Sequence, residues 1–345
     1  MPPRDRPIIL ATRGSPLALA QAHGVLAQCR AAFPELAFEL SIIKTTGDKM
    51  QTASMAQPGE SLPKGLFTKE LEVALLREEA DLAVHSLKDL PTDLPDGLIL
   101  GAVGLRADVR DVLVYRASAR ATAGAAASSL RGFAPGLTLA ALPPGAVVAT
   151  SSTRRREQVL AAKPDLRTVE IRGNVGTRLQ KVAQNGQIDA TILAAAGLGR
   201  LGFRIHADGR LEGPLPTPAG SPASAVPAGL LAVFLEVEVM LPCAGQAAVG
   251  IETRANDARL ASVCARLDHR DTHECVAAER AFLRAMGGGC QSPVAAYAEV
   301  AGASLRLRAV SFHTGRAVRG EEHGPAGEPV ALGERVAAQL KRLER

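Results

Sequence analysis

The sequence predicts an α/β protein that is divided into two or three domains. Its 345 residues are too many for one ordinary hydrophobic core, and the 47% of hydrophobic residues suffices to fill several cores. Three segments repeat one pattern, in which a short apolar strand leads into a polar turn with arginine and then into an amphipathic helix. Strands that alternate with helices in this way predict a parallel or mixed sheet.

The first repeat lies at the start of the chain. Residues 8–12 form an apolar run, Arg13 follows it, and a helix is expected to reach about Cys29. Ser15 suits the N-cap of that helix, and Pro16 suits its first turn because the missing N–H group has no helical partner there. The sequence therefore predicts a strand end with a positive charge beside a helix N-terminus.

The second and third repeats lie in the middle of the chain. They comprise strand 146–150, turn 151–156 and a helix to about residue 163, then strand 168–171, turn 172–178 and a helix around 179–183. Ligands of such sheets bind at the carboxyl ends of strands, where helix N-termini offer free N–H groups. A single arginine there is most simply a solvated surface charge. Arginines at three equivalent strand ends predict a site for carboxylate or phosphate.

An acidic residue follows another buried strand in the segment DLAVHSLKDLPT, residues 81–92. Lys88 and Asp89 are expected where this strand ends. Nearby arginines would favour the charged form of Asp89, whereas burial would oppose it. A carboxylate in a basic cleft can transfer a proton or stabilise a developing cation, although a structural salt bridge at the strand end is an equally simple interpretation.

A cysteine follows three consecutive glycines in the segment AMGGGCQSP, residues 285–293. A helix is expected before it, with Asp271 and Glu274 as a capping box and Gly287 at its end. Two strands are expected after it, at 294–300 and around 305–309. Cys290 is therefore expected on a loop of a small C-terminal α+β domain, and the glycines suggest that something bulky lies nearby. An ordinary helix cap beside an idle thiol is the simpler alternative.

Composition excludes several classes of protein. The net charge of +5 favours an anionic partner, but aromatic residues make up only 3% of the chain, so base stacking on nucleic acid is not expected. The five cysteines are scattered and form no CxxC pair, which argues against a disulfide framework or a zinc ribbon. We find neither a signal sequence nor an apolar run of the roughly 18 residues that a membrane helix needs. A reducing cytoplasm is expected.

The sequence also argues against two nucleotide-binding motifs. A GxGxxG match at residues 197–202 follows an apparent strand, but the next residues lack the helical period that a dinucleotide fingerprint requires. There is no GxxxxGK[ST] phosphate loop. Residues 47–65 form a long polar stretch, either a lid over the site or disorder, and residues 117–136 and 213–229 read as inserts or linkers.

Nine segments together closely resemble the porphobilinogen deaminase (hydroxymethylbilane synthase) family of tetrapyrrole biosynthesis. The resemblance covers nearly the whole chain, and the segments occur in the order of the family. They are ATRGSPLALAQ, KTTGD, KGLFTKELE, DLAVHSLKDLPT, ATSSTRRREQ, IRGNVGTRLQK, ILAAAGLGRLG, GQAAVGIE and GGGCQSP.

The resemblance implies a transferase that carries a covalent dipyrromethane cofactor on Cys290 through a thioether. Porphobilinogen would lose ammonia to give an azafulvene-like cation, which the free α-carbon of the terminal cofactor pyrrole would attack. Four rounds and a hydrolysis would release linear hydroxymethylbilane. Each ring carries an acetate and a propionate, so the cations of the cleft would bind carboxylates. No metal, nicotinamide, nucleic acid or membrane partner is implied, and a monomer is expected.

The family's functional residues carry over to matching positions of this chain. Asp89 would be the catalytic carboxylate. Cofactor contacts are expected from Ser15, Lys88, Asp89, Thr150, Ser151, Ser152, Arg154, Arg155, Arg172 and Gly173, in addition to Cys290. Substrate contacts are expected from Arg13, Ser15, Lys64, Lys69, Arg172, Arg178, Arg200 and Gln246.

The resemblance also implies three domains, of which two are similar α/β lobes like those of periplasmic binding proteins. Domain 1 would comprise residues 1–107 and 246–265, domain 2 residues 108–245, and domain 3, which carries Cys290, residues 268–345. This chain departs from the family in three ways. An alanine of the Gln246–Ala248 stretch stands where glycine is usual, Ser292 stands where valine or a similar apolar residue is common, and both inserts are long.

Three other functions are possible from the residues alone. A non-catalytic two-lobed anion-binding module would give Cys290 and Asp89 no role. A cysteine nucleophile with His85 or His273 as its base would leave a thiol open to alkylation. A nucleic-acid binder would show a steep salt dependence.

Overall fold

The structure is a computed structural model that describes residues 6–46, 67–118, 130–214, 226–289 and 291–345. The strands are β1 (Ile8–Arg13), β2 (Phe38–Ile43), β3 (Leu82–Ser86), β4 (Leu98–Val103), β5 (Asp111–Arg116), β6 (Val147–Ala149), β7 (Arg167–Val169), β8 (Ala190–Ala194), β9 (Arg204–Ile205), β10 (Leu211–Glu212), β11 (Leu230–Leu235), β12 (Val249–Arg254), β13 (Val294–Ala301), β14 (Ser304–Ser311) and β15 (Val318–Pro325). The helices are α1 (Pro16–Ala32), α2 (Lys69–Leu76), α3 (Thr153–Ala162), α4 (Val175–Gln184), α5 (Ala195–Arg200), α6 (Ala258–Leu267), α7 (Arg270–Ala285) and α8 (Pro329–Leu343).

Two five-stranded mixed sheets share one topology. In the first sheet the order is β2-β1-β3-β12-β4, and in the second it is β7-β6-β8-β5-β11. In each sheet the first three strands are parallel to one another and the last two pairings are antiparallel. The prediction of two similar α/β lobes with mixed sheets is therefore confirmed.

Helices cover both faces of the first sheet. Leu82 and Val84 of β3 pack with residues of α1 and α6 on one face, whereas Ala83 packs with Leu71 and Leu75 of α2 on the other. Because successive side chains of a strand point to opposite faces, Leu82, Ala83 and Val84 are all buried, on alternating faces of the sheet. This double burial fixes the position of the strand end that carries Lys88 and Asp89.

The helix starts of the three predicted repeats are largely as expected. The hydroxyl of Ser15 accepts a hydrogen bond from Ala18 N at 3.3 Å, and Ser152 caps α3 in the same way through Arg155 N at 3.4 Å. The third helix begins earlier than predicted, because Asn174 caps α4 by accepting from Thr177 N at 2.9 Å. Each of the three helices thus starts within six residues of a strand end.

The C-terminal part of the chain is a separate three-stranded antiparallel sheet. Its order is β13-β14-β15, and α7 and α8 pack against it around Phe282, Leu307 and Leu332. The predicted capping box was wrong, because His269 is the N-cap and accepts from Thr272 N at 3.3 Å. Glu274 instead pairs with Arg270 one turn away, at 2.9 Å. The strand and helix order confirms the expected α+β domain.

The helices of the described ranges include none that combines the length and the apolar character needed to cross a membrane. The polar stretch at 47–65 lies outside the described residues, and so do most of the two inserts. The GxGxxG match falls in α5 and the turn after it. No long helix follows that match, since β9 begins at Arg204.

Ala247 adopts a left-handed backbone conformation in the crossover that leads from the second lobe into β12. Its φ is 71°, and only one other non-glycine residue in the described part of the chain has a positive φ. An L-residue pays about 1 kcal/mol or more for this conformation, whereas glycine does not. Two alanines occupy the stretch in which the family usually has a glycine. Of these two, Ala247 carries the backbone strain.

We expect Ala247→Gly to raise the thermal unfolding midpoint by about 1 to 3 °C, because relief of the strain exceeds the added flexibility of the unfolded chain. The matched control is Ala248→Gly, since Ala248 has ordinary φ and is only 1% exposed. That change removes a buried methyl group and should lower the midpoint. Calorimetry measures the unfolding midpoint of both variants. An equal fall of the midpoint in both would contradict the strain argument.

Candidate functional site

The candidate site lies between the two lobes, where polar turns follow the carboxyl ends of β1, β3, β6 and β7, and α5 follows that of β8. Arg13 ends β1 and its guanidinium stacks 4.2 Å from the centre of the Phe67 ring. Helix α5 of the second lobe packs near α1 of the first, since a methyl group placed on Gly197 would lie 3.9 Å from Leu17 Cδ2. This packing brings the strand ends of the two lobes toward each other.

Lys88 and Asp89 lie in a single 3₁₀ turn, Leu87–Asp89, directly after β3. Leu87 is 1% exposed and anchors the turn, whereas Lys88 and Asp89 are half-buried. The backbone N–H group of Leu87 donates to Ala248 O at 3.1 Å, which ties the turn to the crossover before β12. The sequence predicted that both residues follow the end of a strand, and in the structure they do.

The strand end of β6 forms a hydroxyl-rich turn in the second lobe. Thr150 is buried and its hydroxyl accepts from Ser152 N at 3.2 Å. The hydroxyl of Ser151 donates to Ile171 O at 2.8 Å and accepts from Ile171 N at 3.1 Å. These bonds join the β6 turn to the turn after β7, so two of the predicted binding segments form one surface.

Gly173 shapes the second of these turns. Its φ is 111°, and a Cβ atom there would come within 2.7 Å of Thr177 Cγ2, so the position requires glycine. The carbonyl of Gly173 accepts from Arg178 Nε at 2.8 Å. Arg172, by contrast, is exposed and pairs with Glu170 at 3.2 Å. The structure therefore directs Arg178, rather than Arg172, toward the interior of the cleft.

Arg178 couples the two lobes electrostatically. Burial lowers its pKa to about 10, the charge of Arg155 adds to that effect, and the negative charge of Asp89 opposes it. The charge of Asp89 in the first lobe thus acts on Arg178 of the second lobe. The sequence expected a carboxylate in a basic cleft, and the structure brings these groups together.

Arg178 and Arg200 also fit a ligand that carries carboxylates. Burial lowers the pKa of both guanidinium groups. Within the described ranges, the recorded hydrogen bonds of these side chains go to backbone carbonyls, Gly173 O for Arg178 and Ala247 O at 2.5 Å for Arg200. No carboxylate of the described residues lies within salt-bridge distance of either group. A partly buried cation without an anion attracts one strongly, so each position suits a ligand carboxylate.

Arg154 and Arg155 are buried and flank a buried carboxylate. Asp111 Oδ1 accepts from Arg155 Nη2 at 2.7 Å, and Asp111 Oδ2 lies 2.8 Å from Arg154 Nη1. Burial alone would raise the pKa of Asp111, but the two arginines hold it well below its usual range. Two cations around one anion leave an excess positive charge beneath the hydroxyl-rich turn. Direct contact of these arginines with a cofactor stays a prediction.

Gln246 belongs to the same buried network. Its amide nitrogen donates to Asp111 Oδ1 at 3.0 Å and to Val109 O at 2.7 Å, and its amide oxygen accepts from Arg154 at 3.4 Å. The side chain is therefore fully occupied by internal partners, and its predicted contact with substrate stays a prediction. Its backbone carbonyl accepts from Arg106 Nε at 3.0 Å.

Arg106 connects this network to the C-terminal domain. Its guanidinium makes a two-pronged bond to Glu279 of α7, with distances of 2.7 and 2.9 Å. Glu279 is 0% exposed and also accepts from Gly245 N and Ala298 N, both at 2.8 Å. One carboxylate therefore joins the end of β4, the crossover before β12, helix α7 and strand β13.

The two histidines considered as catalytic bases each contact a carboxylate side chain. His85 Nε2 lies 3.0 Å from Glu252 Oε2 in the interior of the first lobe, and His273 Nδ1 lies 2.8 Å from Asp268 Oδ1. Glu72 is buried nearby, and burial together with the charge of Glu252 raises its pKa. These contacts do not favour a cysteine–histidine catalytic pair.

Three expected site residues are not part of this arrangement. Cys290 and Lys64 lie outside the described residues, and Lys69 is exposed at the start of α2. Sequence reasoning missed Asp111, Arg106 and Glu279. For Arg106 and Asp111 the segment LRADVRD, residues 105–111, was the available signal, because it places four charged side chains where two apolar strands are joined.

We expect Glu279→Gln to destabilise the protein by about 3 kcal/mol, because it leaves the Arg106 guanidinium buried beside a neutral amide. The matched control on the same helix is Glu274→Gln. Glu274 pairs with Arg270, whose side chain is 83% exposed, so that loss should stay within about 0.5 kcal/mol. Urea unfolding measures both values. Similar effects of the two changes would show that the buried pair has no special importance.

Comparisons with known proteins agree with this geometry. The family model described as "Porphobilinogen deaminase, dipyromethane cofactor binding domain" matches residues 8–262, and the model of the "Porphobilinogen deaminase, C-terminal domain" matches residues 273–342. The porphobilinogen deaminase of Desulforudis audaxviator is 42% identical over 337 residues, which cover 97% of this chain and 94% of the relative. That of Paracoccus denitrificans is 41% identical over 345 residues, covering 99% and 96%. The chain belongs to the porphobilinogen deaminase family.

Proposed function

We propose that this protein is a hydroxymethylbilane synthase, which joins four porphobilinogen molecules head to tail with release of ammonia. The observation that carries the proposal is the presence of two partly buried arginines, Arg178 and Arg200, that have no carboxylate partner among the described residues. Asp89 lies near enough to Arg178 for its charge to act on the pKa of that arginine. Family membership supplies the reaction class, and the cleft has the charges which that substrate needs.

A dipyrromethane held on Cys290 would supply a nucleophilic pyrrole carbon to which each incoming unit is added. Thr150, Ser151 and Ser152 present hydroxyl groups at the end of β6, and Ser15 does so at the end of β1. Together with Lys88 these residues would hold the acetate and propionate groups of the cofactor. Because helices α1 and α3 start at this surface, their N–H dipoles add to the attraction.

The incoming substrate would be bound by the cations that face the cleft. Arg178 and Arg200 stand in a partly desolvated setting, where a charge-assisted bond to carboxylate is strong. Arg13 lies at the end of β1 and would orient the second carboxylate. Arg172, which is exposed and pairs with Glu170, is assigned to substrate through the family resemblance alone. Lys64, Lys69 and Gln246 are assigned to substrate through the family resemblance alone.

Asp89 is the proposed acid–base group. A carboxylate at this strand end can give a proton to the departing amine and can stabilise positive charge on a pyrrole nitrogen. The turn that carries it is held by buried Leu87 and by the bond to Ala248 O. The position of Asp89 relative to Arg178 is therefore set by the backbone of both lobes.

We also propose three domains with the boundaries expected from the sequence, a monomeric state and a cytoplasmic location. Strand β12 lies in the first sheet between β3 and β4, which supports a discontinuous first domain. The thiols of Cys29, Cys243, Cys264 and Cys275 are free, which suits a reducing compartment.

The test of function is the intact mass of the denatured full chain before and after incubation with porphobilinogen. We expect an added mass of two porphobilinogen-derived units, which peptide mapping assigns to Cys290. Cys290→Ser should carry none, and the control Cys243→Ser should carry the same addition as the parent chain. An adduct that persists in Cys290→Ser, or its absence from the parent chain, would refute the assignment.

Asp89→Asn should lower the rate of hydroxymethylbilane formation by about 100-fold to 10,000-fold, since it removes the proton-transfer group but keeps the shape of the side chain. Asp93→Asn is the control, because Asp93 is an exposed carboxylate four positions along the chain and should change the rate by less than about twofold. Steady-state assays of both variants decide the point. A near-normal rate for Asp89→Asn would remove Asp89 from the chemistry.

A further inference from the structure

The chain that follows Asp89 is held by one arginine of the C-terminal domain. Arg280 lies on α7, is half-buried, and donates hydrogen bonds to three successive backbone carbonyl groups. Its Nη1 lies 3.0 Å from Leu90 O, and its Nη2 lies 2.6 Å from Pro91 O and 3.4 Å from Thr92 O. The planar guanidinium carries five N–H groups in a fixed fork, which suits a row of acceptors. The contact therefore joins the C-terminal domain to the segment directly after the proposed acid–base group.

The carbonyl groups of this segment depend on donors from another part of the chain. Residues 90–97 lie between the 3₁₀ turn and β4, outside any helix or strand. Pro91 has no N–H group, so the backbone at this residue can be tied only through its carbonyl oxygen. Leu90 is 3% exposed, and a buried backbone carbonyl without a donor costs free energy. Arg280 supplies the donors for both residues with one side chain.

The same face of α7 also packs against the turn itself. Val276 lies four residues before Arg280, so the two side chains project from one face of the helix. Val276 is 0% exposed and packs in one apolar cluster with Leu87 and Leu90. The N–H group of Leu90 donates to Leu87 O at 3.1 Å, which closes the turn. The turn is thus anchored by Leu87 before Asp89 and by Leu90 after it, and Arg280 holds the second of these anchors.

We infer that Arg280 is a positioning residue for Asp89. The inference rests on the proposed function, in which Asp89 transfers a proton, and adds that α7 of the C-terminal domain sets the place of this carboxylate. Proton transfer needs heavy atoms about 2.6 to 3.2 Å apart, so a displacement of about 1 Å slows the reaction strongly. Loss of the guanidinium releases the three carbonyl groups and widens the range of positions that Asp89 occupies.

The test is a double-mutant cycle of Arg280→Gln and Asp89→Asn in the full chain loaded with dipyrromethane. Rates of hydroxymethylbilane formation are expressed per loaded chain, counted by intact mass, so that a smaller yield of folded protein does not lower them. We expect Arg280→Gln to lower kcat by about 10- to 100-fold and to change KM by less than about twofold, because it displaces the proton-transfer group and not the substrate. In the Asp89→Asn background the same change should lower kcat by less than about twofold, since no carboxylate is left to misplace.

The matched control is Arg284→Gln, one helical turn further along α7. Arg284 reaches the same segment, but its Nη1 lies 3.9 Å from Asp93 Oδ1, and the two side chains are 47% and 73% exposed. Loss of this surface pair should change kcat by less than about twofold. Amide exchange at Leu90, whose N–H group closes the turn, should be about 10-fold faster in Arg280→Gln than in the control.

Equal kcat values for Arg280→Gln and Arg284→Gln would overturn the inference. A loss in the double variant equal to the product of the two single losses would also overturn it, because Arg280 would then act independently of Asp89. If Arg280→Gln yields no folded chain, Arg280→Lys takes its place in the cycle, with an expected loss of about 3- to 10-fold, since an ammonium group reaches fewer of the carbonyl groups.

Failure of the proposed function gives a different result. A parent chain that forms no hydroxymethylbilane would refute that function, and a normal rate for Asp89→Asn would refute the role of Asp89 and this inference with it. Failure of the inference alone leaves an active parent chain and an impaired Asp89→Asn variant.

Discussion

The buried carboxylate of Asp111 is the contact on which the arrangement of the cleft depends. It holds Arg154 and Arg155 at the start of α3, and through Gln246 it reaches Arg106 and so Glu279. Each member is buried, so none can lose its partner without a large desolvation cost. The second lobe, the crossover and the helix that leads to the cysteine therefore share one polar framework. Its excess positive charge lies beneath a turn that has no anion of its own among the described residues.

Local sequence signals were sufficient for the strand ends but not for this framework. The cap by Ser15 and the buried strand before Asp89 follow from near neighbours in the chain, and the structure has both. Arg155 and Asp111 are 44 residues apart, and Arg106 and Glu279 are 173 apart, so no local period indicates that they meet. The predicted capping box was wrong for a related reason. The spacing of Asp271 and Glu274 suggested that Asp271 caps the helix, but the N-cap is His269.

Because the two sheets share one topology, the two lobes present equivalent strand ends to the cleft. In both lobes the parallel strands end at the cleft, and in both a serine caps the helix that follows. The lobes differ in what completes the turn. The first offers a half-buried carboxylate, Asp89, whereas the second offers hydroxyl groups and Arg178. An anionic substrate with a cationic leaving group requires both kinds of charge, one from each side.

The burial of Cys29, Cys264 and Cys275 has a consequence for chemical selectivity. Burial raises the pKa of Cys29 and Cys264 to about 11 and that of Cys275 to about 12. The thiolate is the form that attacks carbon electrophiles, so at neutral pH these three thiols are both shielded and protonated. An enzyme that turns its substrate into an electrophile risks alkylating itself. In this protein the interior of the fold protects three of its own sulfur atoms from the reagent that its cleft would generate.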